Sequence, residues 1–221
     1  MNGVSYLIRV LLPDEPGSLG MLAEAIGVIG GNIQSVDVVH QFDSGTVMDD
    51  IVVDLPSGTL PDSIVSAAQE IPGVIIDSLR PFSGVVDRRG QIKMLAAVAE
   101  NSRRIEVAMK ELVDVIPRTM TSGWAIVLGP AGRVAASTAA PEDDGNLPEI
   151  NLHSARLLDP EEETWVPERW ALLDASLAVV PLGETDLLLV VGRPGGPDFL
   201  SSEVEHLGNV GHVIGSILKA A

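Results

Sequence analysis

The segment YLIRVLLPDEPGSLGMLAEAIGVIGGNI, residues 6–33, decides the fold. Tyr6, Ile8, Val10 and Leu12 alternate with Leu7, Arg9 and Leu11, the period of a strand with one face in a core. Pro16 and Gly17 break that strand. Leu19, Leu22, Ala23, Ile26 and Ile29 then recur at helical spacing, Ser18 is placed to cap the first amides, and Gly30 to take the left-handed residue that ends the helix. The expected order is strand, tight turn, helix, glycine stop, strand.

A helix that starts this way has a chemical use. Free N–H groups at Gly17, Ser18 and Leu19, together with the helix dipole, favour a carboxylate or another small anion. Gly17 lets a guest approach the backbone closely. The Asp14 carboxylate and the Asn32 side-chain carbonyl, which returns at the far end of the helix, can accept from an ammonium group, so the set suits an amino-acid zwitterion. The same residues also have a purely structural reading, in which Asp14 closes the turn, Gly17 supplies an unusual backbone angle and Asn32 satisfies a strand end.

Downstream, Ile33 to His40 is rich in Val and Ile, Gln41 to Gly45 has hairpin length, and Thr46 to Leu55 alternates. Ile51, Val53 and Leu55 share one face there, and Asp50, Val52 and Asp54 the other. A helical stripe of Leu60, Ile64, Ala67, Ala68 and Ile71 stops at Pro72-Gly73, and Val74 to Leu79 is a fourth strand. The motif D-E-P-G-S-L, an amphipathic helix, G-G-N-I and this order of elements resemble an ACT domain over about the first third of the chain. The resemblance implies a ferredoxin-like βαββαβ fold that pairs into a homodimer and binds an amino acid at the subunit interface. It places the ligand on the loop after the first strand, at Leu12, Asp14, Gly17, Ser18 and Leu19, and at Asn32 after the helix. ACT domains that bind no ligand are common, so a scaffold that only dimerises is the alternative.

The 221 residues are 46% apolar, enough for two packed cores. No apolar run reaches a membrane span, the start lacks a signal peptide's pattern, and there is no Cys, all compatible with a cytoplasmic protein. A formal charge of −17 repels nucleic acid and anionic lipid, and the largest basic clusters are the pairs Arg88-Arg89 and Arg103-Arg104. A metallochaperone of this fold needs a Cys pair in its first loop, and an RNA-recognition module needs aromatic central strands. With 3% aromatics and no Cys, neither reading fits.

Residues 82–91 read as a linker between an N-terminal domain, 1–81, and a second domain, 92–221. Ile92 to Ile116 reads as one long helix with a heptad-like stripe through Leu95, Val98, Ser102, Ile105, Met109, Leu112 and Ile116. A hairpin follows (Trp124 to Leu128, Val134 to Ser137), then an irregular acidic segment from Ala139 to Glu168 with nine carboxylates. Ala171 to Pro181 and Asp186 to Gly192 are β-prone, and Ser202 with Glu205 forms a capping box for a last helix. Trp124 to Gly129, Leu188 to Arg193 and the order of elements resemble a GAF domain, which implies an α/β sensor fold with an antiparallel sheet. The Asn/Lys/Phe/Asp/Glu signature of the cyclic-nucleotide-binding GAF domains is not found, and there is no Cys for a tetrapyrrole.

No metal or cofactor is expected, since the four His residues have no ligand partners at zinc spacing and Asp143 to Asn146 lacks calcium-loop spacing. No nucleophile elbow or phosphate cradle is found, so no catalytic residue is assigned. The whole is an α+β chain expected to be a non-catalytic regulator of the amino-acid-sensing kind. An enzyme with its active site under the acidic segment, bounded by Trp165 and Trp170, is the third reading.

Overall fold

The computed structural model describes residues 4–82, 90–146 and 152–221. Residues 83–89 of the expected linker, with Arg88-Arg89, and residues 147–151 of the acidic segment lie outside the described residues. The chain forms two compact units, dividing between Gly84 and Val85.

The first unit runs β1 (Val4–Pro13), α1 (Ser18–Val28), β2 (Asn32–Phe42), β3 (Thr46–Leu55), α2 (Asp62–Gln69) and β4 (Ile75–Pro81). Its sheet has the order β2-β3-β1-β4 with every pair antiparallel, which is the ferredoxin-like βαββαβ arrangement. The alternation in β1 and β3 sets the core: Ile8, Val10, Leu12, Ile51, Val53 and Leu55 meet Leu22 and Ile26 of α1 and Ile64 and Ala68 of α2. Helix α1 ends as its glycines dictate. Gly30, at φ +79°, donates to Gly27 O (3.0 Å), and Gly31 donates to Ile26 O (2.9 Å), so two of the orphan carbonyls of the last turn are used. On the other face of the sheet, Arg9 of β1 stands opposite Asp50 of β3. They form a buried two-pronged pair, with Nε to Oδ1 at 2.7 Å and Nη2 to Oδ2 at 2.9 Å.

The second unit holds α3 (Gly90–Glu100), α4 (Ile105–Thr119), β5 (Trp124–Gly129), β6 (Gly132–Ala136), β7 (Arg156–Leu158), a 3-10 turn (Glu168–Trp170), β8 (Ser176–Pro181), β9 (Leu188–Arg193) and α5 (Ser201–Lys219). The five-stranded antiparallel sheet has the order β6-β5-β9-β8-β7. Ala125, Val127, Ala178, Val180, Leu189 and Val191 face the helices, and the residues alternating with them, among them Trp124, Ile126, Val179 and Val190, build a second core on the other side. Arg193, fully buried at the end of β9, ties three segments together. It donates to Met120 O (2.9 Å), Pro197 O (3.2 Å) and Glu203 Oε1 (2.6 Å), with its guanidinium 4.0 Å from the centre of the Phe199 ring.

Four expectations are corrected here. The long helix is two, because Asn101 to Arg104 turn the chain: the Asn101 side chain donates to Ala97 O and the Arg104 amide to Asn101 O. The heptad-like stripe is therefore not one continuous rod. The acidic segment contributes an edge strand, β7, and the buried Leu158 and Val166, so it helps build the second core instead of staying irregular throughout. The strand expected from Ala171 starts only at Ser176, because the chain turns at Ala171 to Ala175. Helix α5 starts two residues earlier than the expected capping box: Glu203, not Glu205, receives the Leu200 amide at 2.9 Å.

Candidate functional site

The β1–α1 turn is built by Pro16 and Gly17 and by its docking on the β2–β3 hairpin. The Asp14 amide donates to Gly45 O (3.0 Å), and the exposed Asp14 carboxylate accepts from the Gln41 side chain. Gly17, at φ +99°, is the N-cap of α1, and nothing lies within 4 Å of where its Cβ would be. Position 17 therefore needs glycine for its backbone angle and leaves open space beside it. Ser18 is not the cap expected from the sequence. It is the first helical residue, its side chain makes no capping bond, and its amide already donates to Glu15 O (3.2 Å). Among the described residues the amides of Gly17 and Leu19 meet no backbone acceptor, so two of the three expected donors remain. Leu19 is exposed, whereas Leu12 is buried in the core and offers a site only its backbone.

Asn32 is exposed and begins β2, but it does not join the turn within one chain. Its partner in the ladder is Asp54, near the end of β3, whereas Pro13, the residue before Asp14, pairs with Thr46 at the start. Eight residues of extended strand separate those levels, about 27 Å. The expected facing of Asp14 and Asn32 in a single copy is thus corrected, because α1 and β1 carry the chain from one end of the sheet to the other.

A residue not chosen from the sequence lies on the helix side of the same sheet. Asp49 stands between Val10 of β1 and Val38 of β2, in the alternation class of Val47, Ile51 and Val53. It is 3% exposed, and its Oδ1 has no hydrogen-bond partner. Burial, then the carboxylates of Asp37, Asp50 and Asp14, raise its pKa above the ordinary 3.8. The signal was present in the sequence: Asp49 is a charge in the face that Ile51, Val53 and Leu55 commit to the core.

In the second unit, a cleft of about 900 Å³ runs beside α5, where Asn209, His212 and Ser216 face residues 153–157. Two of its charged side chains are paired, Arg156 with Glu163 at 2.5 Å and Lys219 with Glu184. The Arg156 hydrogen bond, followed by that of Trp165, holds the Glu163 carboxyl below its usual range. Trp170 is buried, packed edge-on against Trp124 (5.8 Å between centres) and Trp165 (6.2 Å), and its indole donates to Glu142 O. Among the described residues no three His, Asp or Glu side chains converge as metal ligands, and no helix is long and apolar enough to cross a membrane.

No family model matches the chain, and no curated protein matches it. Among solved structures it is similar to an unknown protein from Galdieria sulphuraria at 13% identity and a TM-score of 0.34, over 99% of this chain and 94% of that one. That similarity carries no inference about the site.

Proposed function

We propose that this is a non-catalytic regulatory protein whose first unit, an ACT-like module, binds an α-amino acid between two copies, with a GAF-like second unit carrying the output. The observation behind this reading is the open edge of the first sheet. Strand β2 is an edge strand of eleven residues with Asn32 at one end and, at the other, Gln41 holding Asp14. Two such edges related by a two-fold axis pair antiparallel, which lays the Asn32 end of one copy beside the Asp14 end of its partner. The separation of about 27 Å within one chain then becomes proximity across the interface. The amides of Gly17 and Leu19 serve the ligand carboxylate, and Asp14 with the partner's Asn32 serves the ammonium.

The order of helices, hairpin, irregular segment, paired strands and terminal helix supports the GAF-like reading of the second unit. Its sheet face opposite the helices is filled by Trp124 and Trp170, which favours a response through protein contacts over a ligand bound on that face. A second reading, a dimerising scaffold with no small ligand, draws on the Gln41 and Glu15 contacts that already engage Asp14 and Ser18.

A thermal-shift screen of the intact chain against the twenty common amino acids separates the two. The sensor reading expects a concentration-dependent rise for one or a few amino acids, lost in Asp14→Ala. A dimer with flat shifts throughout expects the scaffold.

A further inference from the structure

The first unit is short of positive charge where it most needs it. Residues 4–82 contain eleven carboxylates, two arginines and no lysine. Both arginines lie on the sheet face away from the helices: Arg9 pairs with Asp50, and Arg80 stands opposite Leu7 on that face. Asp49 lies on the helix face, and the charges that bear on it most strongly are negative, from Asp37 on β2, Asp50 on β3 and Asp14 in the β1–α1 turn. Helix α1 adds only the exposed Glu24. A second copy of this unit brings the same eleven carboxylates and two arginines.

An isolated buried carboxylate is costly to keep ionised, and a core position filled by Asp where Val or Ile would pack needs a reason. Beside it the sheet is open, since Val38, its ladder neighbour on β2, is 64% exposed. The converging groups do not form a metal site. What fits an unpartnered acceptor on β3, one strand in from the β2 edge, is a small cation with its own N–H donors.

We infer that Asp49 is the ammonium-binding carboxylate of the site proposed above, and that the guest is an α-amino acid whose carboxylate lies at the Gly17 and Leu19 amides. This rests on the amino-acid reading of that site and goes beyond it by moving the principal cation contact from exposed Asp14 to buried Asp49. Asp49 then has a structural cost in the empty protein that the ligand relieves, so ligand affinity and ligand-free stability respond to it in opposite directions.

The test is isothermal titration of the intact protein and of Asp49→Asn with each of the twenty common amino acids, and with the N-acetyl derivative of each that binds. The wild type is expected to bind at least one amino acid and to reject its N-acetyl derivative, which has no ammonium. Asp49→Asn is expected to weaken that binding about 10- to 150-fold, the range for a hydrogen bond to a charged group, while its ligand-free melting temperature at pH 7 stays level or rises. Wild-type affinity rises with pH as Asp49 ionises, and the variant's does not. Equal affinity in Asp49→Asn overturns the assignment of Asp49 and leaves the amino-acid site standing. Equal affinity for the N-acetyl derivative overturns it too, without relying on a folded variant. No binding of any amino acid by the wild type overturns both.

Discussion

Arg193 and Glu203 make the sharpest stability prediction. Arg193 is fully buried, Glu203 nearly so, and their closest contact is 2.6 Å. Replacing Arg193 by Met keeps most of the stem but strands the Glu203 carboxylate and removes the donors to Met120 O and Pro197 O. Breaking one side of a buried pair costs about 3–5 kcal/mol. Glu203→Leu leaves the guanidinium without its counter-charge and also frees the Leu200 amide, so about 1 kcal/mol of capping lies within its similar loss. The double variant has no orphaned charge, so its loss should be smaller than that of either single change, dominated by the cap and the two carbonyls. Urea denaturation followed by tryptophan fluorescence reads this cleanly, because all three tryptophans, Trp124, Trp165 and Trp170, lie in the second unit. Losses that simply add in the double variant, or an Arg193→Met cost below about 1 kcal/mol, would refute the view that this pair pins β9 to the ends of α4 and α5.

Three further outcomes follow from the geometry. Gly17→Ala should cost about 1–2 kcal/mol in strain alone, because φ is +99° and the added Cβ meets nothing, and Gly17→Asn should recover part of it in chemical denaturation. Gly215→Ala should be severely destabilising by thermal melt, since its Cβ would lie 2.4 Å from Leu182 O and 2.5 Å from Gly183 Cα, both backbone atoms that cannot rotate away. In the ligand-free protein, Asp49 has a raised pKa, so the folded chain binds its proton more readily than the unfolded one. Its contribution is therefore favourable below pH 3.8 and is lost as pH rises from there through the raised folded value. Asp49→Asn should flatten that part of the stability curve in melts across pH 3 to 8.

The first unit was legible because each of its elements has a local cause: alternation in β1 and β3, the Pro16-Gly17 break, and the Gly30 stop all act within a few residues. The β1–α1 turn was found for the same reason. Where Asp14 and Asn32 lie relative to each other was not legible, since spacing along the chain does not say that a helix carries the strand start to the opposite end of the sheet. In the second unit, the break between α3 and α4 rests on Asn101 bonding back to Ala97, a competition that the stripe of apolar residues hides. The strand Arg156–Leu158 is three residues among carboxylates, and it exists because β8 offers an edge to pair with. That Asp49 is buried without a partner was not legible, since the alternation of β3 puts it on the helix face but does not say that no donor on β1, β2 or the helices reaches it.

Subunit complementation tests the interface site most directly. Asp14→Ala and Asn32→Ala are each expected to bind amino acids more weakly than the wild type, because each removes from every site one of the two contacts that the copies contribute jointly. Mixed and allowed to exchange, they form hybrid dimers in which one site keeps Asp14 from one copy and Asn32 from the other. Titration of the mixture with an amino acid that binds the wild type should then recover saturable binding at wild-type affinity and reduced stoichiometry. A mixture that binds no more tightly than its parents, although hybrid dimers have formed, would contradict a site shared between two copies.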